Sequence, residues 1–104
     1  MPNGVEYPFQ TLNITTSTFS INTTSTQIAP ANANRRKIII RNDATGKPLF
    51  LSFVSPAVDD TANIIVPQNQ QYEMTEPEVV WTGAIYAVFG TLGAQNVVVT
   101  DFSF

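Results

Sequence analysis

From Arg35 onward the apolar residues come in short runs, and none of these runs has helical spacing. The runs are Lys37–Asn42 (KIIIRN), Leu49–Val54 (LFLSFV), Asn63–Val66 (NIIV), Gln71–Thr75 (QYEMT), Ala84–Phe89 (AIYAVF) and Asn96–Phe102 (NVVVTDF). Turn formers separate them: the stretch Asn42–Pro48 with Gly46, then Ser55-Pro56, Pro67-Gln68-Asn69, Glu76-Pro77, Gly83, Gly90 and Gly93. Runs this short, rich in β-branched and aromatic residues and recurring at roughly 10–15-residue intervals, predict strands. A chain of 104 residues has room for one core. The fold expected is all-β, a single-domain β-sandwich or small barrel of Ig-like or jelly-roll-like type. No two-residue hairpin signal fixes the strand order.

The first third reads differently. Residues 1–34 carry a single charge, Glu6, and Thr11 to Thr26 is dominated by Thr, Ser and Asn. Leu12, Ile14, Phe19, Ile21 and Ile28 are its sparse apolar residues. Residues 1–27 are therefore expected to form an extended N-terminal arm with weak strands, and residues 28–104 the sandwich. The first ten residues are the part most open to disorder. The opening Met1-Pro2-Asn3-Gly4-Val5-Glu6 has neither a basic nor an apolar leader region. Asn13-Ile14-Thr15 and Asn22-Thr23-Thr24 match the glycosylation sequon, a chance match in so Asn/Thr-rich a stretch.

Alternation along each run separates two faces. In KIIIRN, Ile38 and Ile40 share the face opposite Lys37, Ile39 and Arg41; in LFLSFV, Leu49, Leu51 and Phe53 form the better apolar face. The core expected is Ile38, Ile40, Leu49, Leu51, Phe53, Trp81, Ile85, Val98 and Phe102. A two-layer sandwich has one dry face per sheet, so Ile39, Phe50, Val54, Tyr86, Val88, Val97 and Val99 are left over. With Phe19 and Ile21 of the arm, they are the candidate interface residues, because grouped apolar side chains outside a core mark association surfaces. Coverage within a closed barrel is the alternative.

The chemistry available is narrow. With no Cys and no His, the chain has no thiolate nucleophile, no imidazole base and none of the usual zinc, copper or haem ligands. A net charge of −3 argues against a nucleic-acid partner, and the Arg35-Arg36-Lys37 cluster reads as a solvated strand entrance. No run is long enough to span a bilayer. Glu73, Glu76 and Glu78 around Pro77, and Asp59-Asp60, are the only carboxylate groupings; they read as solvated turns rather than a glycosidase pair or calcium loop. Trp81, Tyr86 and Tyr72 would suit a sugar platform, but large aromatics are mostly buried. No enzymatic activity, metal or cofactor is expected.

Charged residues make up 12% of the chain, about half the usual share, and such a surface repels neighbours poorly. Two elements together carry a resemblance: the strand Arg35-Arg36-Lys37-Ile38-Ile39-Ile40-Arg41-Asn42 and the segment Trp81-Thr82-Gly83-Ala84-Ile85-Tyr86-Ala87-Val88. Between them lie Pro48-Leu49-Phe50-Leu51, Ile64-Ile65-Val66-Pro67 and Tyr72-Glu73, and a valine strand runs to Phe102. Over about residues 28–104 the chain resembles the small β-sandwich virion structural proteins of tailed bacteriophages. The resemblance implies a capsid decoration or cement protein made in the bacterial cytoplasm and carried on the virion surface. Its implied partners are copies of itself, a trimer being favoured, and the major capsid protein or other virion proteins, with no nucleic acid or membrane. A tail or connector component, or a host-glycan-binding module using Trp81 and Tyr86, are the alternatives.

Overall fold

A computed structural model describes residues 12–76 and 80–104. Eight strands are present among them: β1 (Asn13–Ile21), β2 (Thr26–Ala29), β3 (Arg35–Asn42), β4 (Leu49–Ser52), β5 (Ile64–Val66), β6 (Gln71–Thr75), β7 (Ile85–Phe89) and β8 (Gln95–Ser103). They form two antiparallel sheets, ordered β1-β8-β3-β6 and β2-β7-β4-β5. First pairs with last, second with seventh, third with sixth and fourth with fifth, which is one long hairpin rolled up into a jelly roll. That order decides between the sandwich types the sequence left open.

β1 and β2 are integral to the two sheets. β1 pairs with β8 along its whole length, from Asn13 opposite Ser103 to Ile21 opposite Gln95, and β2 pairs with β7. The boundary expected at residue 28 therefore falls inside a single unit, and the Thr-rich segment is a strand of the sandwich rather than an arm. The expected disorder of the first ten residues lies outside the described residues.

The core fills the space between the sheets. Ile38, Ile40, Leu49, Leu51 and Ile85 are fully buried there, as their alternation predicts. In β8 the expected parity is reversed: Val97 and Val99 point inward at 0% and 4% exposure, while Val98 and Phe102 are on the outer face and only half-buried. The reason lies at Asp101, which shares the inward face with Val97 and Val99 and is neutralised there by Arg35. A charge that would mark a solvent face instead sits at the edge of the core. Ile21, expected at an interface, is fully buried for the same geometric reason: it is inward-facing and closes the end of the core.

Each pole of the sandwich is tied by one buried polar side chain. At one pole, where β2 enters β3, the Arg35 guanidinium is 1% exposed. It donates to the carbonyls of Trp81 (2.9 Å), Gly83 (3.1 Å) and Pro30 (2.8 Å) and, through Nε, to Asp101 Oδ2 (3.0 Å). Arg35 is thus no solvated strand entrance. At the opposite pole Asn42, fully buried, donates from Nδ2 to the carbonyls of Lys47 (2.8 Å), Val66 (3.0 Å) and Pro67 (3.2 Å), and accepts the Ala44 N–H (2.9 Å). The same pole is closed by Lys47 Nζ, which donates to the carbonyls of Leu92 and Gly93. Gly93 has φ +112°, and a Cβ there would lie 2.7 Å from Lys47 Nζ, so the turn needs glycine on both counts.

Candidate assembly surface

The two sheets treat their outer faces differently. On the β2-β7-β4-β5 sheet, Phe50, Val88 and Tyr86 point outward, as expected of interface candidates, but the connection from Phe53 to Asn63 folds back beside Val88 and Phe50. Ser52 Oγ caps the end of β4 by accepting the Val54 N–H and donating to the Val54 carbonyl, which turns the chain out of the strand two residues earlier than expected. The connection is then pinned by the Ala57 N–H on Ser25 Oγ (2.8 Å) and by the Asn63 side chain on the Phe53 N–H (2.9 Å). Ala57 is buried and Val88 is left 5% exposed. Val88 is therefore covered by its own chain and not an open interface residue. Phe50 and Tyr86 are half-buried. Val54, at 71% exposure, stands clear at the turn.

Of two residues expected in the core, Phe53 is half-buried and packs against it, whereas Trp81 is on the rim of this sheet. Their rings stack at 4.7 Å with 21° between planes. Trp81 Nε1 donates to the Ala84 carbonyl (2.9 Å), and a Cβ on Gly83 would lie 2.5 Å from Trp81 Cζ2. Trp81 is 37% exposed, its ring lying against Phe53.

Among the described residues, no connection folds over the outer face of the β1-β8-β3-β6 sheet. Its β3–β6 half is charged and internally paired: Lys37 Nζ lies 3.2 Å from Glu73, Arg36 2.8 Å from Glu76, and Arg41 2.7 Å from Asp43. The Thr75 hydroxyl and then the Lys37 ammonium hold the Glu73 carboxyl below its ordinary range. Ile39 is half-buried between these side chains. The β1–β8 half carries no charge. Across it run Ile14 opposite Phe102, Thr16 opposite Thr100 and Thr18 opposite Val98. The Thr16 and Thr100 hydroxyls approach to 3.4 Å, Lys37 Nζ caps Phe102 at 5.3 Å, and Ile14 is 59% exposed.

At the free side of β1 the two sheets gape. A groove of about 220 Å³ opens between β1 and β2, lined by the inward side chains Thr15, Ser17 and Phe19 together with Ile28, Val99 and Asp101. Asp101 Oδ1 is buried without a hydrogen-bond partner. Phe19, an interface candidate from the sequence, is half-buried here.

The uncharged half-sheet is not legible in the sequence, since Ile14, Thr16 and Thr18 lie in the segment expected to form an arm with weak strands. The signal present was parity: odd positions end in Phe19 and Ile21, even positions hold Ile14, Thr16, Thr18 and Ser20, and the whole nine-residue strand is uncharged.

Glu73 and Glu76 each pair with a cation, Glu78 lies outside the described residues, and among those residues no group of three or more carboxylates converges. Among them too, no helix is long and apolar enough to cross a membrane. Comparison with known proteins adds no relative: no protein family matches the chain, and no curated protein is matched by it.

Proposed function

We propose that this chain is a non-enzymatic structural protein of a tailed-phage virion, a decoration or cement protein. It stabilises the head by associating with copies of itself and by lying against the shell. The observation that carries this reading is the uncharged half of the outer sheet, continuous with an open strand edge and an open groove. A solvated protein normally breaks up such a surface with charge; here charge is confined to the other half and spent on internal pairs. The resemblance of residues 28–104 to small virion β-sandwich proteins supports the same role. Jelly rolls serve viral capsids, but also lectins and cupins, so architecture alone does not choose between them. The glycan-binding alternative is less well supported, because the Trp81 ring is already engaged by Phe53, Gly83 and Ala84.

The test is add-back. Purified protein is mixed separately with heads lacking it, with tails, and with host cells of the phage that encodes it. Saturable binding to heads, with a higher temperature of genome release, is expected. Binding confined to tails, or to cells, overturns the decoration reading.

A further inference from the structure

We infer that two copies of the chain join edge to edge through β1, antiparallel about a two-fold axis at Ser17, so that two four-stranded sheets become one of eight. This deepens the assembly reading above by naming the partner at that surface.

An exposed strand edge is a template for another strand, and proteins that keep such edges apart blunt them with shortness, bulges, charge or proline. Among the described residues three of the four edges are blunted. β5 has three residues, β2 has four and a register shift between Gln27 and Ala29, and β6 carries Glu73. β1 has none of these devices: it is nine residues long, in unbroken register with β8, and contains no charge and no proline.

Symmetry says which partner such an edge fits. In a two-fold contact the side chain on the axis meets its own copy, so a charge there would face a like charge, and like charges flanking the axis would face each other. An edge with no charge is free of that repulsion. A ring of three would need β1 to meet a different edge, and the others are blunted. The edge geometry therefore selects a two-fold contact over the trimer that the resemblance favours.

Register follows from the pleat. Residues opposite each other across antiparallel strands point to the same face, and the outward residues of β1 are the even-numbered ones, so only even-to-even pairings are allowed. Centring on Ser17 uses all nine residues. Thr16 then faces Thr18 of the second copy, a favourable pair on a sheet, and Ile14 faces Ser20. On the inner side Phe19 lies beside Thr15 of the second copy, over the groove between β1 and β2. The half-exposed phenylalanine and the open groove are thus covered by the same contact.

The test uses purified protein alone, so it can succeed or fail independently of particle binding. The chain has no cysteine, and Ser17→Cys introduces one thiol that faces itself across the axis. Mild oxidation is expected to give a covalent dimer for Ser17→Cys and not for Ser20→Cys. Sedimentation equilibrium should show a dimer for the wild type, loss of the dimer for T16K/T18K, and its retention for T16K/T18E, whose lysine and glutamate face each other across the axis. Both threonines are exposed on the outer face, and the second variant controls for damage to the fold. A wild-type monomer or trimer, a dimer untouched by T16K/T18K, or equal cross-linking at both positions would overturn the inference.

Discussion

A guanidinium removed from water is tolerated where its donors are met, and Arg35 meets three carbonyls and a carboxylate drawn from three separate segments. The pair it makes with Asp101 is itself mostly buried, with side-chain exposures of 0% and 17%. Breaking one side of such a pair strands the other charge, at a cost of about 3–5 kcal/mol. Arg35→Met is expected to lose on the order of this amount in urea unfolding. Arg35→Lys should lose a substantial part of it, because a single ammonium cannot reproduce the planar fork. Arg35→Met combined with Asp101→Leu should recover most of the loss. Full stability of Arg35→Met on its own would mean that the knot contributes nothing to the fold. The same pair explains the inverted reading of β8. Val97, Val98 and Val99 are chemically identical, and the charge of Asp101 points to the wrong face unless its partner, 66 residues away, is known.

Among the elements, β1 has the weakest signature and closes one side of the core. It contributes Ile21 to the core and supplies the outer neighbour of β8. Deleting residues 1–25 removes it entirely and is expected to abolish the cooperative transition in scanning calorimetry; a sharp transition in the truncated chain would show that the other seven strands suffice. The six strands from β3 onward are legible because Pro, Gly or Asn closes or soon follows every apolar run but the last, and their observed limits differ from the runs by at most two residues. β1 is not, because threonine and serine alternate as readily in a loop as in a strand and its apolar residues sit mainly at one end. The cover over Val88 was equally hidden. Nothing in the composition of Ser55–Asn63 tells that the segment doubles back, since the contact that fixes it, Ala57 on Ser25, joins residues from different connections.

For the whole molecule, nested pairing makes almost every contact between sheet neighbours distant in sequence. Only β4 and β5 are paired strands adjacent in sequence, and the outermost pair brings Thr16 to Thr100 across 84 residues. Chains dominated by such contacts fold in roughly milliseconds to seconds. Refolding followed by the fluorescence of the single tryptophan, Trp81, should fall in or beyond that window; a microsecond phase completing the signal would contradict it. The same nesting sets how the molecule can be used. Asn13 and Ser103 are opposite each other at one pole, so peptides spliced in before the first strand and after the last would leave side by side from a single rim.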